Sequence, residues 1–263
     1  MSRKAIAAAL AFVLVAAILI YNSGAMKEAR FVKALVARNI EARGGAEAWA
    51  KVSSLQLSGQ MDLGQEMVVP YVLEQKRPDK MCFEFIFQGE TSTQCANGES
   101  GWKIAPFLGR EGAEAMTDME FRETADSTDP YGLLYDYAAR GSDVELVGQE
   151  IIDGRDTFKL QVTLPKGGVR WLYLDAETAL EVSLEAIRIV ANRERLVKTF
   201  YYDWQETDGL LISRRQETLT DGDTDSHFLT VESVVVNPPL DDAQFAMPTS
   251  AVSDRGVTQQ ASL

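Results

Sequence analysis

The residue types that most often carry catalysis or bind zinc are scarce in this chain of 263 residues. His227 is its single histidine, and Cys82 and Cys95 are its two cysteines. Zinc sites with several histidines or four cysteines therefore lack their ligands, and so does most histidine-dependent catalysis. His227 lies between two predicted strands, so a position at the end of a hairpin explains it better than a catalytic triad.

A run of acidic residues is the nearest approach to a metal motif. Asp221, Asp223 and Asp225, followed by Glu232, have the spacing of a calcium-binding loop. The sixth position of that loop requires glycine for its sharp turn, and it is Ser226 here. The flanking segments are also strand-like rather than helical. We therefore expect a solvated acidic turn and no metal.

Neither a cofactor nor a nucleic acid is predicted as a ligand. Gly44 and Gly45 follow a predicted helix, whereas a phosphate-binding glycine loop opens one. The chain has 26 Lys and Arg against 39 Asp and Glu, a net charge of −13, which would repel DNA or RNA. No pair of acidic residues stands out as a glycosidase pair. The sequence therefore predicts neither an enzyme nor a nucleic-acid-binding protein.

Aromatic residues at alternate strand positions are the most suggestive pattern. Side chains two residues apart in a strand share a face, so these residues form stripes. Such a stripe is either ordinary core packing or the lining of an apolar ligand cavity. The residues in question are Phe83, Phe85, Phe87, Trp102, Trp171, Tyr173, Phe200, Tyr202 and Trp204.

The two cysteines lie in a predicted hairpin, KMCFEFIFQGETSTQC. A two-residue turn at Gln88-Gly89 places Cys82 opposite Cys95 at a non-hydrogen-bonded position, where side chains are closest. The sequence therefore predicts a cross-strand disulfide, and two buried free thiols are the alternative.

The elements that would position these residues are mostly strands. Residues 27–43 have the apolar spacing of an amphipathic helix, with Phe31, Leu35, Val36 and Ile40 on one face, and a short helical turn follows. From Ser54 onward the apolar period changes to two. We count ten or eleven antiparallel strands. A sheet this wide must curl, so we predict a mainly β (α+β) fold: a strongly curved, half-open antiparallel β-barrel with helices covering its concave side.

The alternation of the strands is interrupted between residues 109 and 141. This segment is helical or loop-like in pattern, and a long insertion between strands is often functional. We interpret it as a movable lid, the alternative being a helix packed permanently on the sheet. Its apolar residues are Met116, Met119, Phe121, Leu133 and Leu134.

The amino terminus has the pattern of an export signal. A short basic region precedes an apolar run over residues 5–21, and small residues lead to a cleavage site after Ala25. Residues 1–25 are therefore a signal peptide or, alternatively, an uncleaved membrane anchor formed by residues 5–21. We expect a ligand-binding domain over residues 26–248 and a flexible tail over 249–263. Either interpretation places the rest of the chain on the far side of a membrane.

Four segments of this chain resemble the LolA-like outer-membrane lipoprotein-sorting proteins. They are GGAEAWAKVSSLQLSGQM near the start, DVELVGQEIIDGRDTFKLQVTLPKGGVRWLYLDAETALEV in the centre, TFYYDWQETDGLLISRRQET later and VNPPLDDAQFAMP at the end. Each segment alone is weak, but the four occur in the family's order. The resemblance covers about residues 40–248 and identifies no single ligand.

The resemblance implies a periplasmic carrier that shelters acyl chains of lipoproteins, or another lipid, in a hydrophobic cavity under a helical lid. If residues 5–21 are an uncleaved anchor, this carrier is tethered to the inner membrane. It implies transfer toward the outer membrane from an inner-membrane donor to an outer-membrane acceptor, and it brings no catalytic residues. The alternative function is a membrane-anchored lipid sensor or envelope assembly factor that uses the same cavity. The cavity would be lined by the aromatic stripes and by the apolar residues of the lid.

Overall fold

The structure is a computed structural model that describes residues 24, 26–64, 67–125, 128–165, 168–190 and 193–248. The proposed signal peptide or anchor, apart from Gly24, and the proposed tail from residue 249 lie outside the described residues. Within the described part of the chain, no helix is long and apolar enough to cross a membrane.

The predicted fold class is confirmed, since the described residues form a mainly β, antiparallel and unclosed sheet. Its strands run in the order β6-β5-β4-β3-β2-β1-β13-β12-β11-β10-β9-β8-β7, and the edge strands β6 and β7 do not pair. The strands are β1 Ser54–Asp62, β2 Val68–Lys76, β3 Lys80–Phe87, β4 Glu90–Asn97, β5 Gly101–Ala105, β6 Arg110–Ala115, β7 Asp143–Ile152, β8 Arg155–Thr163, β9 Val169–Asp175, β10 Glu181–Val190, β11 Arg193–Thr207, β12 Leu210–Thr220 and β13 His227–Val236.

Helices are few and short in the described residues. Helix α1 spans residues 26–42, α2 spans Ala46–Ala50 and α3 spans Asp118–Ala125. Two 3₁₀ turns occupy Pro106–Leu108 and Asp242–Phe245.

The chain divides into two compact units. Unit 1 contains α1, strands β7–β9 and the first part of β10 up to Ala186. Unit 2 contains α2, α3, strands β1–β6 and β11–β13, and residues 187–190 of β10.

Helix α1 forms where the apolar spacing predicts it. Val32, Leu35 and Val36 are buried, and the ring of Phe31 packs edge-on against Phe158 of β8 at 5.1 Å. The helix ends before Gly44 and Gly45, whose positive φ angles of 115° and 88° stop further helical turns. Helix α1 therefore covers one face of the unit 1 strands.

The β3–β4 hairpin has the predicted register. Gln88 and Gly89 form its two-residue turn with φ angles of 54° and 83°, as a tight hairpin turn requires. Cys82 lies opposite Cys95, their Cα atoms are 4.1 Å apart, and their sulfur atoms are bonded at 2.02 Å.

Two expectations from the sequence are corrected by the structure. The described sheet has thirteen strands rather than ten or eleven. One added strand is β6, which lies inside the segment 109–141 that we expected to be helical or loop-like. Its sequence, REGAEA, has almost no apolar side chains, because β6 is an edge strand with little to bury. The interruption of the sheet therefore begins only after Ala115.

Candidate functional site

One face of the unit 2 sheet carries a continuous set of apolar side chains, which we call the inner face. Strand register places Phe85 beside Tyr71, Tyr71 beside Gly59, and Gly59 beside Val231, so the set runs across β3, β2, β1 and β13. Its apolar members include Leu57, Met61, Val69, Tyr71, Leu73, Phe83, Phe85, Phe87, Leu229 and Val231, and towards the other end of the strands Leu55, Met81, Val234 and Val236. Over half of them, including Phe83, Phe85 and Leu73, are only half-buried.

Aromatic rings form a track along the inner face. Tyr71 lies 5.6 Å from Phe83, and Phe83 lies 6.0 Å from Phe85, between ring centroids. Phe107, from the turn after β5, continues the track at 6.0 Å from Phe85 and 5.7 Å from Phe87. Exposure rises from 4% at Tyr71 to 43% at Phe107. The track thus leads from a buried end to an exposed one.

Tyr71 lies at the buried end of this track, and its burial changes the pKa of its hydroxyl. Burial, with a smaller contribution from the carboxylate of Glu232, raises the pKa of Tyr71 to about 12. The hydroxyl therefore stays neutral throughout the physiological range.

Helix α3 begins with a capping box, which the apolar spacing of the sequence does not indicate. The Glu120 carboxylate accepts a hydrogen bond from Thr117 N at 2.9 Å, and Glu120 N donates to Thr117 Oγ1 at 3.3 Å. The pattern Thr-x-x-Glu in residues 117–120 was the available signal. Glu120 also pairs with Lys103 of β5, whose position on the inner face follows from its register with Gln94 and Phe83.

The other contact of α3 shows that the unit 2 sheet is curved. Glu123 accepts the backbone N–H of Ile189 in β10 at 3.0 Å, although seven strands separate β10 from β5 in the sheet order. A flat sheet would place β5 and β10 about 38 Å apart. Helix α3 is only about 12 Å long, because it has eight residues. The sheet must therefore bend around the inner face, and α3 crosses from one side to the other.

The apolar residues of α3, and Met116 just before it, differ in how far they are buried. Met116 is half-buried, its backbone N donates to Gly101 O at 2.8 Å, and its sulfur lies over Gly101. Phe121 is half-buried, whereas Met119 is half-exposed to solvent. Met116 therefore packs on β5 just before the helix, whereas half of the Met119 side chain is in contact with solvent.

The segment after α3 is fixed to the start of the sheet. The Tyr131 hydroxyl donates to Val52 O at 2.8 Å, its ring lies 5.4 Å from Trp49, and the Arg77 guanidinium lies 4.2 Å above it. Leu133 is half-buried and Leu134 is 2% exposed. This part of the predicted lid is therefore packed rather than open.

Three of the predicted aromatic residues do not share the inner face. Trp102 lies across from Cys95 on the opposite face, where the disulfide and Phe245 bury it, and its Nε1 donates to Phe245 O at 3.0 Å. Phe200 and Tyr202 are also on that opposite face by the register of β11 with β12 and β13. Trp204 does not follow this alternation, because Asp203 before it has a positive φ of 53° and the Trp204 ring lies 6.3 Å from that of Tyr201. Sequence alternation identifies a shared face within one strand but does not match faces between distant strands.

The outer position of Phe200 and Tyr202 is supported by their contacts. The two rings stack at 6.4 Å, and the Arg215 guanidinium lies 6.0 Å from the Tyr202 ring and 4.5 Å from the Phe228 ring. Contacts between side chains on one sheet face stabilise that face. Phe200 and Tyr202 therefore do not belong to the candidate lining.

The last two predicted aromatics, Trp171 and Tyr173, belong to unit 1. Register places them on the face of β9 opposite the one that α1 covers. Tyr173 donates to Glu185 at 3.0 Å, and the Lys159 ammonium lies 5.0 Å from its ring. Burial is the main cause that raises the pKa of Tyr173 to about 12. Tyr173 therefore forms part of a polar cluster in the sheet.

The fold and its inner face together define a mainly β protein whose curved, unclosed sheet carries apolar side chains beneath a crossing helix. No family model matches the sequence, and no curated protein matches it significantly. Comparison with solved structures shows that the chain has the fold of the LolA superfamily, as the sequence resemblance predicts.

Three solved structures illustrate this similarity. A LolA superfamily protein from Nitrosomonas europaea has a TM-score of 0.57 and 13% identity, covering 82% of this chain and 97% of that one. A DUF1329 family protein from Desulfovibrio piger has a TM-score of 0.56 and 14% identity, covering 82% and 97%. A domain from Vibrio parahaemolyticus, described as an outer membrane lipoprotein-sorting protein, has a TM-score of 0.52 and 14% identity, covering 80% and 94%.

Proposed function

We propose that this protein is a periplasmic carrier that binds acyl chains of lipoproteins, or of another lipid, on the inner face of unit 2. The carrier hands this cargo toward the outer membrane and catalyses no reaction. The observation that carries the proposal is the inner face itself, because over half of its apolar side chains remain only half-buried although a helix crosses in front of them.

Half-buried apolar side chains on a face that a helix covers favour the binding of an apolar ligand. In a filled core, side chains such as Phe83, Phe85 and Leu73 would be fully buried by their neighbours. An acyl chain gains about 0.8 kcal/mol for each methylene group removed from water. A chain of about 16 carbons laid along the aromatic track would therefore be held firmly without any charged contact.

Helix α3 is the element that would cover and release the cargo. It has eight residues, and its contacts with the strands on its two sides include the Glu120–Lys103 ion pair and the Glu123–Ile189 hydrogen bond. These two contacts are polar, and the Glu120 side chain is 41% exposed, so they can break at modest cost, which suits an element that must open.

The export of the chain and its cargo class are parts of the same proposal. Residues 1–25 would direct the chain across the inner membrane, where a donor protein would load it and an outer-membrane acceptor would unload it. The name of the Vibrio parahaemolyticus domain supports lipoprotein acyl chains as the cargo.

The test is to purify the protein from its native host, extract it with organic solvent and identify the extract by mass spectrometry. We expect a lipid in the wild type and its loss in Phe85→Asp, which places a charge in the aromatic track. Phe200→Asp is the matched control, because Phe200 is also a half-buried strand phenylalanine but lies on the opposite face. An extract without lipid from folded wild-type protein would refute the proposal, as would equal loss of lipid in the two variants.

A further inference from the structure

A serine hydroxyl is buried beside the aromatic track of the inner face. Ser92 lies in β4 directly opposite Phe85 of β3, so its side chain is on the inner face. The residue is 2% exposed, and no described residue supplies a hydrogen-bond partner for its Oγ. The next hydroxyl along β4, Thr93 on the opposite face, differs because it donates to Glu84 at 3.4 Å. A buried hydroxyl without a partner destabilises a fold, so Ser92 points to a ligand group that accepts its hydrogen bond.

Ser92 lies on the part of the inner face that is covered by elements able to move. The 3₁₀ turn Pro106–Leu108 and helix α3 both contact β4. Phe107 of that turn lies 6.0 Å from Phe85, and 43% of its surface is exposed. A ligand that displaces this ring or the helix therefore reaches the hydroxyl without disturbing the pairing of the strands.

The surroundings of Ser92 favour a neutral acceptor over a charged one. A carboxylate or phosphate buried beside a phenylalanine ring would need a cation to compensate for its lost hydration. The neighbouring cation of the inner face, Lys103 of β5, lies opposite Gln94, and its ammonium is already paired with Glu120. A carbonyl oxygen can accept the hydrogen bond of a hydroxyl without such a cation.

We infer that the Ser92 hydroxyl donates a hydrogen bond to the carbonyl oxygen of an acyl ester, so that the site recognises esterified acyl chains and not hydrocarbon alone. This inference rests on the proposed function and adds a polar contact to it. Phe85 lies between the buried end of the track at Tyr71 and its exposed end at Phe107. The contact therefore orients the cargo, with the methyl end toward Tyr71 and the esterified group toward Phe107.

Two lipids that differ only in the carbonyl group test the inference. They are a lysophosphatidylcholine with an ester-linked chain and its ether-linked analogue of the same length. Each competes with the fluorescent dye N-phenylnaphthylamine, which contains no carbonyl, for the full chain. We expect the wild type to bind the ester about tenfold more tightly than the ether. Ser92→Ala should bind both with the affinity of the ether, and Ser92→Thr, which keeps a hydroxyl, should retain a preference for the ester.

Two further measurements separate recognition from a structural role. Ser183→Ala is the matched control, because Ser183 is 1% exposed and its Oγ also lacks a partner in the described part of the chain, but it lies opposite Tyr173 in unit 1. We expect this control to keep the ester preference. The infrared spectrum of the bound ester, labelled with ¹³C at its carbonyl, should show a higher stretching frequency in Ser92→Ala than in the wild type, because the hydrogen bond is lost.

A third competitor identifies the source of the ester, since lipoproteins and glycerophospholipids both contain one. This competitor is a peptide whose amino-terminal cysteine carries a diacylglyceryl group. Tighter binding of the peptide than of the ester phospholipid assigns lipoproteins as the source, and the reverse assigns glycerophospholipids. A loss of affinity for the tighter ligand in Ser92→Ala supports the contact in either case, and an unchanged affinity overturns it.

The outcomes separate this inference from the proposed function. An ester preference that is lost in Ser92→Ala and kept in Ser183→Ala supports the inference. Wild-type protein that binds ester and ether equally well overturns the role of Ser92 and leaves the carrier function standing. A preference that persists in Ser92→Ala, or that Ser183→Ala loses to the same extent, also overturns it. Wild-type protein that binds neither lipid refutes the carrier function and this inference with it.

Discussion

Helix α3 depends on one carboxylate for two of its contacts, so Glu120→Ala should loosen the helix and leave the sheet intact. The carboxylate accepts the N–H of Thr117 in the capping box and pairs with Lys103 of β5. The variant removes both contacts and creates no cavity in the sheet, because Glu120 is a partly exposed helix residue.

The size of the effect follows from the exposure of the pair. The side chains of Lys103 and Glu120 are 18% and 41% exposed, so solvent screening reduces the ion pair to about 0.5–1 kcal/mol. Loss of the carboxylate from the capping box costs about 1 kcal/mol. Together these losses raise the open population of α3 about 10- to 30-fold.

Amide hydrogen exchange at neutral pH, read by mass spectrometry, measures this opening directly. We expect faster exchange confined to residues 117–125, and a smaller effect in Glu120→Gln, which keeps an oxygen for the cap. The control is Glu114→Ala, which removes a half-exposed ion pair with Arg110 at 3.4 Å in the neighbouring β6. Unchanged exchange in α3, or faster exchange spread through β1–β5, would refute the reasoning.

Two further predictions concern backbone packing and pH. Gly59→Ala should lower the free energy of unfolding, measured with urea, by about 2 kcal/mol or more, because the new Cβ would lie 1.9 Å from Thr230 O. The control is Gly112→Ala, which should change this free energy very little because no atom lies within 4 Å of the new Cβ. Equal losses of stability in the two variants would contradict the prediction. Hydrogen bonds, first from Lys103 and then from a backbone amide, lower the pKa of Glu120 from 4.5 to about 2. Its stabilising contribution is therefore complete above pH 4.5 and is lost as the pH falls toward 2. NMR titration of the Glu120 carboxyl should show this lowered pKa in the wild type and a higher pKa in Lys103→Met. The same pKa in both proteins would contradict the prediction.

Local patterns in the sequence predict local structure well in this protein. The Gln88-Gly89 turn fixes the β3–β4 register, because a two-residue turn leaves one pairing for each flanking residue. Helix α1 was predicted over 27–43 and spans 26–42, since four apolar residues recur on one face and two glycines end it. The Cys82–Cys95 contact follows from the same register.

The sequence does not predict in the same way which residues of distant strands lie on the same face of the sheet. Phe83 and Phe200 have the same alternating context, but their faces are related through five strand pairings and a bulge at Ser58/Gly59. A single shift at that bulge reverses the face of everything beyond it. The sequence therefore predicts aromatic stripes but does not show that two of them point in opposite directions.

The structure around α3 could not be predicted from the sequence for a different reason. Strand β6 and helix α3 bury little apolar surface, so neither has a clear hydrophobic period. The signal that remained was the Thr117–Glu120 capping box, which reports a helix start rather than a buried face.

The most direct test of the carrier proposal is to map where an acyl chain touches the protein. A fatty acid carrying a photoreactive diazirine near its methyl end would be bound, irradiated and located by peptide mass spectrometry. We expect crosslinks on the inner face, at Tyr71, Phe83 and Phe85. Crosslinks confined to Phe200 and Tyr202 on the opposite face, or spread evenly over the surface, would contradict the proposed site.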